Sequence, residues 1–285
     1  MQRLGGLLEL TRPGNAVLSG LLTFIGAFVA GLDAGAGGLL VDTAPEIRAA
    51  AAVVATMLAV GAGNAINDYF DREIDRINAP DRPIPRGAVS PRGALAFAVV
   101  LFGLAVVLAL LLTPLAIGIA VVNLLALVAY TELFKGLPGV GNALVGYLGG
   151  STFLFGGAAV GGRLEPVVVL FLLAALATFA REVVKDVEDV AGDREEGLNT
   201  LPIAYGERTA LVVAVVALGL ALLASPAPYL LGTFPLAYLA AVLPADAVML
   251  AAAYWSFDDP TRGQTWLKYG QLLAAVAFVV GRLTV

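Results

Sequence analysis

The chain has 285 residues, 59% hydrophobic and 14% charged, with a net charge of −5 and a mean hydropathy of +0.89. Soluble domains carry about 45–50% apolar and about 25% charged residues, so this composition excludes both a cytosolic globular enzyme and a disordered chain. There is no Cys and no His, which removes disulfides, iron–sulfur clusters, thiol nucleophiles, Ser-His-Asp triads and His-ligated zinc or haem.

A metal bound here must sit on carboxylate and carbonyl oxygens, which favours a hard cation such as magnesium. The acidic balance gives no electrostatic support for nucleic-acid binding. Nothing in the sequence points to an obligate protein partner.

Nine apolar stretches follow in order, each a candidate membrane helix. They cover about 15–32, 48–64 and 93–112, then a fourth from Thr113-Pro114 to about 131. The fifth starts near 140 and ends before Gly161-Gly162; the sixth and seventh cover about 166–184 and 209–223. The eighth lies within 229–257 and contains Pro235 and Pro244, which leaves room for a re-entrant piece or two short spans. The ninth covers about 266–280. Arg12-Pro13 leads directly into the first span with no A-x-A-like site, so a cleaved signal peptide is not expected. Polar stretches are short, and the expectation is a single integral-membrane domain over 1–285.

With nine spans, fourteen of the seventeen Lys and Arg fall on one face, against Arg48, Arg163 and Arg282 on the other. The positive-inside rule makes the first face cytoplasmic. The expected location is the cell membrane, with the loops after even-numbered spans in the cytoplasm.

Two of those loops match. Asn67-Asp68-Tyr69-Phe70-Asp71-Arg72-Glu73-Ile74-Asp75 follows the second span, and Lys185-Asp186-Val187-Glu188-Asp189-Val190-Ala191-Gly192-Asp193 follows the sixth. Both read x-D-x-x-D-x-x-x-D, offset by 118 residues at all three Asp positions. If each span continues helically, Asp68, Asp71 and Asp75 fall within an arc of about 60°, with Asn64 one turn earlier. Asp186, Asp189 and Asp193 do the same, with Glu182 in the place of Asn64. Two like charges 4 Å apart repel by about 4 kcal/mol at an effective dielectric of 20, so such a line invites a cation or a proton. Magnesium is often held by one or two carboxylates plus substrate phosphates, and two facing sites could clamp a diphosphate. A single acidic run reads as a solvated loop. Its repetition at equal spacing on one face of a chain with few charges favours a site.

The first motif and its tail, Asn78-Ala79-Pro80-Asp81-Arg82-Pro83-Ile84-Pro85-Arg86-Gly87, resemble the UbiA superfamily of intramembrane prenyltransferases. The second motif, followed by Thr200-Leu201-Pro202 and Gly206, is similar to that family's second signature. Asp75 to Pro85, the string Arg181-Glu182-Val183-Val184-Lys185-Asp186-Val187-Glu188-Asp189, and Leu8-Glu9-Leu10-Thr11-Arg12-Pro13 look most like its archaeal ether-lipid branch. Arg86 departs from the Ser often found there.

The resemblance implies an all-α, multi-pass bundle of about nine transmembrane helices and magnesium-dependent prenyl transfer. In that branch a geranylgeranyl group passes from geranylgeranyl diphosphate to the free hydroxyl of geranylgeranylglycerol phosphate. The partners implied are a prenyl diphosphate donor, a lipid-phosphate acceptor and the bilayer. Asn67 (or Asn64), Asp71 and Asp75 would hold one Mg2+, and Asp189 and Asp193 the second. Asp68 and Asp186 are either ligands or supports for them. Lys185, Arg72 and Arg82 would contact diphosphate oxygens. Lys135 and Arg12, then Arg86, are the candidates for the acceptor phosphate. The general base stays open between a motif Asp and the product diphosphate.

Other residues have simpler readings. Gly61, Gly63, Gly146 and Gly150 read as close helix packing. Tyr130 faces either the reactive centre or the interface. Asp246 reads as a helix start after Pro244 rather than a functional intramembrane acid. Trp255 and Trp266 read as interface anchors. Among rival functions, an aromatic acceptor needs the same metals. A transporter would place ionisable groups near the midplane rather than at helix ends. A structural subunit gives no reason for the matched acids.

Overall fold

The computed structural model describes residues 2–31, 37–40, 42–134 and 136–285, and these contain helices but no strand. In order the helices are α1 (Gln2–Leu10), α2 (Pro13–Ala30), α3 (Pro45–Phe70), α4 (Arg72–Asn78), α5 (Pro91–Ala109), α6 (Pro114–Ala129), α7 (Val140–Val160) and α8 (Glu165–Glu188). There follow α9 (Val190–Glu195), α10 (Leu201–Tyr205), α11 (Glu207–Ala224), α12 (Ala227–Leu230), α13 (Leu236–Trp255) and α14 (Pro260–Leu283). Proline opens α2, α3, α5, α6, α8 and α14, where its missing N–H costs nothing because first-turn donors have no helical partner. Ser90 and Thr113 cap α5 and α6 through bonds from Gly93 N (3.1 Å) and Ala116 N (3.2 Å).

All nine expected apolar stretches lie on helices. Seven segments are long and apolar enough to cross a membrane: Pro13–Ala30, Pro45–Phe70, Pro91–Ala109, Val140–Val160, Glu165–Glu188, Glu207–Leu230 and Leu236–Trp255. α6 has 16 residues, about 24 Å at ~1.5 Å per residue, and a π turn over Tyr130–Phe134 extends it. α14 has 24 residues but carries Arg262, Lys268 and Arg282. The eighth stretch is one helix, α13, with Pro235 at its N-cap and Pro244 inside it. Asp246 therefore does not start a helix. It lies within α13 and accepts a hydrogen bond from the Ser225 hydroxyl.

Large side chains such as Val99, Val121, Leu125, Leu220 and Leu250 point outward and are exposed. In water this would be an adhesive surface; in a bilayer it is solvated, while the helices satisfy their own backbone groups. Inside, small residues set the spacing. A Cβ on Gly26 would lie 2.0 Å from the Phe153 carbonyl oxygen, and one on Gly156 would lie 1.9 Å from that of Thr23. Only hydrogen at both positions lets α2 and α7 touch backbone to backbone. Gly146 and Gly150 likewise press on α8, and Gly61 on Thr11, as expected; Gly63 has open space beside it.

The α2–α7 contact fixes where the acids lie. Arg163, just past α7, donates its N–H to the carbonyl of Ala30 at the end of α2 (2.9 Å). The two helices thus finish together, and their N-terminal ends share the opposite side of the bundle. α3 returns to that side against α2, and α8 against α7.

Candidate active site

α3 and α8 run past the expected span ends and stop one residue before the middle Asp of each motif. Asp71 (φ −80°, ψ 0°) and Asp189 (φ −93°, ψ 5°) occupy the same break, and the short helices α4 and α9 follow. The backbone bonds continue across it: Asp71 N to Asn67 O (2.8 Å) and Asp75 N to Asp71 O (2.8 Å), then Asp189 N to Lys185 O (3.0 Å) and Asp193 N to Asp189 O (2.9 Å). Each motif therefore runs through a one-residue break between two helices, with the third Asp in the short helix beyond it.

In the first cluster Asp68 and Asp75 are buried, at 4% and 5% exposure, and Asp71 is exposed. Arg12 donates to Asp68 at 2.7 Å. Arg82 donates to both oxygens of Asp75 at 2.7 and 2.6 Å, and lies 3.7 Å from Asp68. The bond it donates to Asp75 pushes the Arg82 guanidinium pKa up. Asn64 donates to the Thr11 carbonyl at 3.1 Å, pinning the turn that carries Arg12. Asn67 is exposed.

In the second cluster Asp186 accepts from Asn142 Nδ2 at 2.8 Å. Asp193 accepts from the Thr200 hydroxyl at 3.2 Å. Lys185 reaches Asp189 at 2.5 Å. Burial pushes the Asp193 carboxyl pKa up, and the Asp189 charge adds to this against the opposing bond from Thr200. Glu182 pairs with Arg181. Tyr130 opens the π turn that continues α6 and packs on α7, the helix that carries Asn142.

Two candidate residues are turned elsewhere. Arg72 donates to the Tyr69 carbonyl (2.7 Å), lies over the Tyr69 ring (4.8 Å) and approaches Glu73 (3.6 Å). Arg86 is held by Glu9 (2.8 and 2.9 Å) and the Asp81 carbonyl (2.6 Å). Lys135 lies outside the described residues. Asn142 and Thr200 belong to the site, although sequence reading gave neither a role. Thr200 had a signal, since it lies 118 residues after Arg82, as Asp193 does after Asp75. Asn142 had none beyond being an amide at the start of an apolar run.

The donors suit magnesium in kind: carboxylates and amide oxygens, with no nitrogen or sulfur ligand. No three acids among the described residues converge closely enough to cage an ion alone. That fits a cation which takes a few carboxylates and completes its shell with water and phosphate.

A model of the UbiA prenyltransferase family matches residues 16–279. A Natronomonas pharaonis protein named digeranylgeranylglyceryl phosphate synthase is 66% identical over 285 residues, covering 100% of this chain and 99% of its own. A Halobacterium salinarum protein of the same name is 61% identical over 278 residues, covering 98% and 97%. A solved digeranylgeranylglyceryl phosphate synthase structure superposes with a TM-score of 0.82 at 35% identity, covering 100% of both chains. A UbiA homologue from Archaeoglobus fulgidus, bound to GPP and Mg2+, has a TM-score of 0.69 at 18% identity, covers 98% and 99%, and shares the fold. With its family matched from Ala16 to Val279 and its relatives aligned end to end, this membrane protein belongs to the UbiA prenyltransferase family.

Proposed function

We propose that this protein transfers a geranylgeranyl group from geranylgeranyl diphosphate to the free hydroxyl of geranylgeranylglycerol phosphate, within one domain spanning 1–285. The allylic C–O bond to diphosphate breaks, an ether C–O bond forms, and the hydroxyl proton leaves. The observation that carries the reading is the full-length identity to relatives bearing that synthase name, together with duplicated acids at one end of the bundle. The acids are proposed to face the cytoplasm, on the side where the basic residues collect.

Asp71 and Asp75, with Asn67 or Asn64, would hold one Mg2+, and Asp189 and Asp193 a second. When bound, magnesium supplies Lewis-acid neutralisation of the departing diphosphate. Arg12, Arg82 and Lys185 lie on the carboxylates and would exchange them for diphosphate oxygens. Asp68 and Asp186 are held by Arg12 and Asn142, which suits support of the neighbouring ligands. Tyr130 would offer its phenol as a hydrogen-bond donor. The apolar bundle would shield the allylic cation from water.

The test is purified protein in detergent with labelled geranylgeranyl diphosphate and geranylgeranylglycerol phosphate, with magnesium or with a chelator. Magnesium-dependent diether formation is the expected result. Diphosphate release without diether would redirect the search to aromatic acceptors.

A further inference from the structure

The two acidic clusters are built alike and neutralised differently. The offset of 118 that relates their acids also relates the residue closing each cluster, Arg82 on Asp75 and Thr200 on Asp193. The correspondence extends to the preceding helix. Asp68 is held from the N-terminal end of α2, and Asp186 from the N-terminal end of α7. At both places the first half uses an arginine, and the second half uses a neutral donor, Asn142 or Thr200. Two of the three carboxylates thus meet a guanidinium directly in the first cluster, and one of three meets an ammonium in the second. That ammonium, Lys185, is about half exposed and sits on Asp189 alone.

A neutral donor and a guanidinium do different things to a carboxylate. The amide or hydroxyl orients it, satisfies a lone pair and leaves its charge in place. The guanidinium also cancels the charge and repels an approaching cation. We infer that the two metal sites of this enzyme load in order: the second cluster takes a divalent cation from the substrate-free protein, and the first takes one only after a diphosphate draws Arg12 and Arg82 off Asp68 and Asp75. Asn142 and Thr200 are then positioning residues that keep the second cluster charged and open. This rests on the reading of both clusters as metal sites for prenyl transfer. It goes beyond that reading in assigning an order, and in giving the first cluster a lock that the diphosphate releases.

The probe is Mn2+ alone, counted by electron paramagnetic resonance on the full-length protein in detergent. One Mn2+ per chain is expected without prenyl diphosphate. Asp193→Asn and Thr200→Arg should weaken that binding at least tenfold, and Asp75→Asn should leave it within about twofold. Arg82→Thr copies the second cluster's chemistry into the first and should add a second substrate-free ion, a gain that misfolding does not produce. No ion or two ions in the unaltered protein, or a count of one in Arg82→Thr, overturns the order. So does a loss in Asp75→Asn that matches the loss in Asp193→Asn. The diether assay on the same preparation separates the two claims: diether formed by a protein whose clusters fill together keeps the function and removes the order, whereas one ordered Mn2+ with no diether does the reverse.

Discussion

Arg12 reaches Asp68 across 56 residues of sequence with a 2.7 Å contact, and it does so from a left-handed backbone, φ 46° and ψ 68°. It is the one described residue other than glycine with a positive φ. The conformation turns the chain between α1 and α2 immediately before Pro13. For a residue with a Cβ it costs about 1–2 kcal/mol, held in place by the surrounding contacts. Backbone and charge separate in two variants. Arg12→Gly and Arg12→Ala both leave Asp68 without its guanidinium, so both should lose transfer by about 100-fold or more. The glycine variant should be the more stable by about 1 kcal/mol, because it accepts the positive φ. Thermal unfolding in detergent reads this difference. Equal stability would mean that the turn carries no strain.

Asp71 and Asp189 give a cleaner test of the metal assignment than the buried acids do. Both sit at helix breaks, Asp71 exposed and Asp189 partly so. Replacing an exposed side chain moves stability by about 0.5 kcal/mol or less, so lost activity would not be lost fold. Asp71→Ala and Asp189→Ala should each reduce transfer by about 10³-fold or more while the protein still inserts and elutes as the unaltered form does. Activity within tenfold of the original in either variant would remove that residue from the ligand set.

What the sequence made legible was periodic or repeated. Runs of apolar residues carry their own length, so the helices under them were visible, seven segments being long and apolar enough to cross a membrane where nine spans were expected, and the offset of 118 marked both acidic clusters. What it hid depended on direction. Arg72 and Arg82 are the same residue type, and Arg72 is the closer to the acids in sequence. Only the path of the chain after α4 turns Arg82 onto Asp75, while Arg72 lies on its own Tyr69. Arg86 was a phosphate candidate by charge, but α1 brings Glu9 against it. Asp246 was misplaced because proline so often begins a helix; α13 instead carries Pro244 in its interior, where the residue must forgo one backbone bond. Asn142 is an ordinary amide until α7 sets it opposite Asp186.

Tyr130 offers a pH test. It opens the π turn that continues α6, and the usual tyrosine pKa is about 10. A group of this kind is neutral below its pKa, so Tyr130 keeps its proton across the working range and can donate a hydrogen bond but not remove a proton. Tyr130→Phe should lower kcat/KM by about tenfold, as the loss of one donor does, and leave the shape of the pH–rate profile between 6 and about 9 unchanged. Loss of the profile's ascending limb in the variant would make Tyr130 the base instead.

Arg48 is a buried cation near the start of α3, far from the acidic clusters. It is 1% exposed, donates to the Thr43 carbonyl at 2.9 Å and the Val160 carbonyl at 3.1 Å, and leaves Nε without a hydrogen-bond partner. Val160 ends α7, so the guanidinium sits where the carbonyls of a helix C-terminus carry partial negative charge. No carboxylate pairs with it among the described residues. Two effects compete in Arg48→Met. Removing a buried cation recovers its desolvation, whereas the buried Val160 carbonyl loses its donor at about 1–3 kcal/mol and the part-buried Thr43 carbonyl loses less. The second should win, because water does not replace the bond at the buried Val160 carbonyl, and the variant should be less stable by about 1–3 kcal/mol. Arg48 lies 20 residues before Asp68 on the same helix, about 30 Å away along its axis. Transfer per folded molecule should therefore stay within twofold of the original. A methionine variant as stable as the parent would mean that the cation's desolvation outweighs its two bonds.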